Sequence, residues 1–104
     1  MPIQIFFIKG SPESNPMFNE KARNVMMEMV SKRDELYKKH GIKELGYYVV
    51  PAEHVTIVVD EAQSLDAFQK LLMEPEFVGL TAFCSIETKV AFSLAEVMNM
   101  VKSK

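Results

Sequence analysis

Apolar and polar positions repeat with two different periods along this chain, and each change of period marks the edge of an element. Residues 1–9 are rich in Ile and Phe and stop at Gly10, which predicts a first strand. The turn-rich stretch Ser11-Pro12-Glu13-Ser14-Asn15-Pro16 follows. Asn15 is placed to cap a helix and Pro16 suits its first position, where the missing N–H is no loss. Phe18, Ala22, Val25, Met26, Met29, Leu36 and Tyr37 then recur at spacings of three and four, the stripe of an amphipathic helix. Lys38, Lys39 and His40 place positive charge in its last turn and Gly41 ends it.

The period shortens to two after Gly41. Leu45, Tyr47 and Val49 alternate with Gly46, Tyr48 and Val50; beyond Pro51, Val55, Ile57 and Val59 alternate with His54, Thr56, Val58 and Asp60. Proline cannot donate to a ladder, so Pro51-Ala52-Glu53 reads as the connection of a hairpin. Ser64 opens a second helix with the stripe Leu65, Phe68, Leu71 and Leu72, and Glu74-Pro75-Glu76 ends it. A fourth strand is predicted over residues 81–88, with Lys89-Val90-Ala91-Phe92 able to extend it. Ser93 and Glu96 form a capping box ahead of a short helix with the stripe Leu94, Val97, Met98 and Val101.

The order is β-α-β-β-α-β with a C-terminal helix, the ferredoxin-like arrangement of one antiparallel sheet with two helices on one face. Nothing marks a linker or repeat, so residues 1–104 are expected to form a single domain. With Ile3, Ile5, Phe7, Leu45, Tyr47 and Val49 turned to the helices, the open face is expected to present Phe6, Ile8, Tyr48, Val50, Val58 and Phe83. An apolar face without cover is an interaction surface. A second copy of the same face is the simplest cover, so a homodimer is expected.

Composition narrows the partners. The 104 residues are 48% hydrophobic and 25% charged, with a net charge of −2. Lys32-Arg33 and Lys38-Lys39 are interrupted by Asp34 and Glu35, the pattern of a solvated helix face. RNA binding through such a sheet needs aromatics on the central strands and a basic surround. The third strand has no aromatic, so no nucleic-acid partner is expected. The single cysteine, Cys84, lies in a strand-like run and reads as a small buried hydrophobe. The run Ile5-Phe6-Phe7-Ile8 is too short for a membrane span, and a cytoplasmic location is expected. No phosphate loop, zinc spacing, nucleophile elbow or haem-attachment motif occurs, so neither metal nor cofactor is expected.

The order of elements, the run GYYVVPAEHVTIVVDEAQSLDAFQKLL and the capped terminal helix resemble the dimeric α+β barrel superfamily. Within it the chain is similar to small domains whose second hairpin runs into an acidic-Ser-x-(Asp/Glu)-Ala helix start, here Asp60-Glu61-Ala62-Gln63-Ser64-Leu65-Asp66-Ala67. The resemblance implies two sheets packed face to face, with a cavity between sheet and helices or inside the barrel. Cofactor-free oxygenases, lactone isomerases, haem-degrading proteins and amino-acid-sensing domains share that fold, and no catalytic residue carries over.

Candidate chemistry gathers around the hairpin. A histidine near a phenol can do acid–base work near neutral pH, which singles out His54 with Tyr48 as its companion. With a short connection, Gln4, Tyr48, His54, Thr56 and Ser85 are expected to converge on the open face as ligand-binding groups. The ordinary alternative is a solvated His54 beside a turn and a Tyr48 that walls a dimer core. Two function classes follow: a small-molecule enzyme or binder using the barrel cavity, and a non-catalytic dimerisation or ligand-sensing module. His40 reads as a charge partner at a helix end. Met26 and Met29 fall on the core stripe, and Met27 and Met100 fall off theirs.

Overall fold

The computed structural model describes residues 1–103. Four strands, β1 (Ile3–Lys9), β2 (Lys43–Val50), β3 (Val55–Glu61) and β4 (Ser85–Ala91), form one open sheet in the order β2-β3-β1-β4. Every neighbouring pair is antiparallel. The helices are α1 (Glu20–Lys39), α2 (Leu65–Leu72), α3 (Pro75–Val78) and α4 (Leu94–Lys102). This is the expected βαββαβ order with α1 and α2 as its crossovers, plus α3 and the terminal helix.

Helix α1 begins four residues later than Asn15 and Pro16 suggest. The Asn15 side chain accepts from the Met17 N–H (2.9 Å), and its carbonyl accepts from the N–H groups of Phe18 and Asn19 (both 2.9 Å). Those bonds close a separate turn. Asn19 is the cap, its side chain accepting from the Ala22 N–H at 3.0 Å. Phe18 therefore leaves the stripe and is 82% exposed. Gly41 ends the helix at φ +66°, a conformation that glycine adopts without Cβ strain.

Strand β4 starts later than residue 81 because Phe77 and Leu80 are both buried. Their spacing of three is met by α3 and a 3-10 turn over Gly79–Ala82, where Thr81 donates its hydroxyl to the Val78 carbonyl at 2.6 Å. The capping box of α4 is formed as read, with Ser93 and Glu96 bonded reciprocally.

The faces of the two central strands are the reverse of the sequence expectation. Phe6 pairs with Val58 across β1 and β3, and both are buried. Phe6 meets Phe68 of α2 edge to face at 6.0 Å, and Met29, Leu36, Tyr37 and Leu71 complete the core around them. Phe6, Val58 and Ile8 thus lie under the helices. The open face carries Ile3, Ile5 and Phe7 of β1, facing Glu61, Val59 and Ile57 of β3. Tyr48, paired with Ile57, and Val50, paired with Val55, stay on the open face as expected. A bulge between Glu44 and Gly46 leaves Tyr47 and Val49 opposite Val58 and Thr56, on the helix side. The Tyr48 ring folds back over Gly46, where an added Cβ would stand 2.7 Å from its Cε2.

The radius of gyration is 15.3 Å. A compact chain of this length would have one of about 13 Å. The long axis reaches 53 Å, against the roughly 30 Å of a 20-residue helix. No residue of α4 is buried, and Leu94, Met98 and Val101 of its stripe are exposed. The terminal helix therefore stands away from the core.

Leu71 is 1% exposed beneath this layer. Leu71→Ala is expected to lower stability by about 2–5 kcal/mol. A urea midpoint unchanged from the native chain would show that α2 does not seal the core.

Candidate functional site

The ends of β1 and β3 pair Lys9 with Val55, so the loop after β1 and the turn before β3 must meet at one end of the sheet. Between them and the start of α1 lies a cavity of about 330 Å³. Ile8, Tyr47, Val49 and Thr56 form its floor; Ala22, Met26 and Met29 of α1 form its roof. Ser11, Ser14, Asn15 and Met17 close one side, and His54 closes another. Leu80, Phe83 and Cys84, on the approach to β4, complete the wall.

His54 holds the one left-handed backbone among the described non-glycine residues (φ 55°, ψ 38°). Its N–H donates to the Pro51 carbonyl at 3.2 Å, and its own carbonyl accepts from the Gly10 N–H at 2.8 Å. The hairpin turn and the β1 loop thus fix the backbone that carries the ring. Histidine tolerates this region better than branched residues do. The conformation still costs on the order of 1–2 kcal/mol for an L-residue.

A polar cluster lies further along the helix side. Asp60 of β3 is fully buried, and Tyr37 of α1 donates its hydroxyl to Asp60 Oδ2 at 2.6 Å. Asp60 Oδ1 has no hydrogen-bond partner among the described residues. Arg33 lies over the rings of Tyr37 (4.4 Å) and Tyr47 (5.3 Å) and donates to Glu44 at 2.7 Å. Burial pushes the Asp60 carboxyl up to about 6, although the Tyr37 hydroxyl and the Arg33 charge pull it down. Burial, then the Asp60 carboxylate, pushes the Tyr37 hydroxyl far above the usual phenol range. Tyr47 lines both the large cavity and a void of about 30 Å³ beside Tyr37 and Arg33.

At the far end of α1, His40 caps the helix and contacts Glu74 at 2.9 Å, and Lys39 reaches the same carboxylate oxygen at 2.7 Å. Glu74 thus ties the end of α1 to the turn between α2 and α3. The depression beside it, about 350 Å³, is lined by His40, Gln69, Lys70, Met73 and Glu74 and lies open to solvent.

The residues singled out from the sequence divide between the two faces. His54 and Thr56 line the cavity together. Gln4 lies on the same face but opposite Asp60, further down β1. Tyr48, 61% exposed, lies on the open face, as does Ser85 opposite Lys9. The reason is the hairpin: four residues connect Val50 to Val55, and an even number puts Tyr48 beside Ile57 rather than Thr56. Sequence reasoning missed Met26, Met29, Asn15 and Cys84 as cavity residues. Their signal is topological, since the loop after β1 and the hairpin turn share one end of the sheet. Asp60 was missed as well; its signal is a tyrosine on the core stripe of α1, whose hydroxyl needs a buried acceptor.

No family model matches the sequence, and no curated protein is significantly similar to it. Solved structures are similar in fold. Protein Atu4242 of Agrobacterium tumefaciens superposes with a TM-score of 0.59 at 14% identity, over 88% of this chain and 92% of that one. Rv0793 of Mycobacterium tuberculosis gives 0.60 at 12% identity, over 90% and 96%. A conserved protein of Methanosarcina mazei Go1 gives 0.58 at 15% identity, over 88% and 91%. The fold these structures share with the chain is the ferredoxin-like one, a βαββαβ sheet with helices on one face. Identities this low carry the architecture and no activity.

The Asp60 carboxyl yields a prediction with a definite sign. Its folded value, about 6, lies above the ordinary 3.8, so the folded chain holds this proton more tightly. Its contribution to stability is fully present below pH 3.8 and is lost as pH rises through about 6. The groups facing it are Tyr37 and Arg33 of α1 and Glu44 of β2. Asp60→Asn keeps an acceptor for Tyr37 and removes the titration. The stability of this variant relative to the native chain is expected to rise by about 2.5 kcal/mol between pH 4 and pH 8, a little under two pKa units of linkage. Denaturation at both pH values measures it; a difference independent of pH would overturn the reading.

Proposed function

We propose that this chain acts as a homodimer, one domain per copy, that binds a small molecule in the cavity under the start of α1. The observation that carries the binding reading is His54, whose costly left-handed backbone is held from two sides at the cavity wall. Strain of this kind persists where surrounding structure over-determines it, and it gathers at functional sites. His54 is the ligand-contacting or acid–base group, with Thr56 beside it. Gln4 sits deeper on the same face. Tyr48 and Ser85, on the opposite face, serve the contact between copies instead.

The dimer reading rests on the open face. Ile3, Ile5, Phe7, Ile57 and Val59, half-buried, and the exposed Tyr48 share the face opposite the one that packs against α1 and α2. The exposed stripe of α4 adds a second apolar surface, and a helix of nine residues is marginal in water without packing. A second copy supplies cover for both. No helix among the described residues is long and apolar enough to cross a membrane. A cytoplasmic location, supported by the single unpaired Cys84, belongs to the same proposal.

Two measurements test these parts separately. Sedimentation at tens of micromolar, an order-of-magnitude concentration suited to weak association, is expected to show a dimer, and Phe7→Lys a folded monomer. A native monomer would overturn the dimer. For the site, a thermal-shift screen of small molecules is expected to give compounds that raise Tm. Their effect should fall in His54→Asn, a residue that also accepts the left-handed backbone. Hits indifferent to His54→Asn would remove His54 from the site.

A further inference from the structure

The cavity wall carries a chemical bias that narrows its occupant. Among the described residues it contains no Lys, Arg, Asp or Glu. Burial pushes both the Cys84 thiol and the Tyr47 hydroxyl up, so each stays protonated and uncharged at neutral pH. The Ser11 and Ser14 hydroxyls bond to each other and to each other's backbone, which leaves them little to offer a ligand. Asn15 has already committed its side-chain oxygen to the Met17 N–H. The polar side-chain groups that remain are the His54 ring, the Thr56 hydroxyl and the Asn15 amide N–H groups beside the loop and hairpin turn, and the uncharged Tyr47 hydroxyl and Cys84 thiol elsewhere in the wall.

The rest of the wall is apolar and soft. Met17, Met26 and Met29 bring three thioether chains to it, and Ile8, Leu80 and Phe83 add rigid apolar area. Methionine side chains adapt to an occupant's shape through three rotatable bonds. A charge entering such a space without a partner costs several kcal/mol. A phosphate or carboxylate would find no Arg or Lys in the wall among the described residues. At about 330 Å³ the space falls at the small end of the range for ligand pockets.

We infer that the occupant is an uncharged, largely apolar small molecule with one polar end at the His54–Thr56 side, its apolar body against Met26, Met29 and Phe83. The inference rests on the binding reading given above and names the class of molecule that site takes. Nucleotides, sugar phosphates and fatty-acid anions fall outside the class.

Matched probes test it. Full-length protein with ¹³C-methyl-labelled methionine is titrated at pH 8 with 2-naphthol against 2-naphthoate, and with 1-decanol against decanoate. The neutral member of each pair is expected to bind at least about tenfold more tightly, a difference of 1.4 kcal/mol. It should shift the methyl resonances of Met26 and Met29 and leave Met73, outside the cavity wall, unmoved. Binding of the anion as tight as that of its neutral mate, at the same methyl groups, would overturn the ligand class while leaving the site in place. If no probe moves Met26 or Met29, both the class and the binding site fall.

Discussion

A four-stranded sheet has two faces, and this chain has packed helices for one. That shortfall governs the rest of the molecule. The central strands β1 and β3 commit Phe6 and Val58 to α1 and α2, and the core forms there around Phe68 and Leu71. At the end of the sheet under the start of α1 the layers part, and the cavity lies in that gap. The second face keeps Ile3, Ile5 and Phe7 only half-buried.

Within the covered face, the bond between Tyr37 and Asp60 sets the alignment of helix and strand. Both partners are buried, and a slip of β3 by one residue would turn Asp60 away from Tyr37 to the other face. The carboxylate is half satisfied, and at neutral pH its desolvation works against folding. The bond is a device for register bought with stability. Arg33, stacked on Tyr37 and Tyr47, adds a positive charge to the same corner and ties it to Glu44 on the edge strand.

Element order was legible in the sequence because each stripe and alternation had a clear period. The capping box at Ser93 and the stop at Gly41 were legible for a local reason: each depends on residues within one turn. The start of α1 was not, since Asn15 and Asn19 are equally good caps and only the turn between them decides. The sheet faces were not legible either. Ile3, Ile5 and Phe7 match Phe6 and Ile8 in hydrophobicity, so alternation marks two apolar faces without saying which meets the helices. The decision comes from Tyr37 reaching Asp60, a contact between α1 and β3 that no local pattern contains. The candidate site was half legible: His54 and Thr56 come together, while Tyr48 is carried away by the even number of residues in the hairpin turn.

Gly46 and Tyr48 share one piece of space, and this couples what each position can hold. The ring occupies the place where a side chain at 46 would begin. Any other residue at 46 would lift the ring off the sheet, and a smaller residue at 48 would bare the backbone beneath. Changes at the two positions are therefore not additive. The shape of this patch of the sheet is thus set by the two residues as a unit.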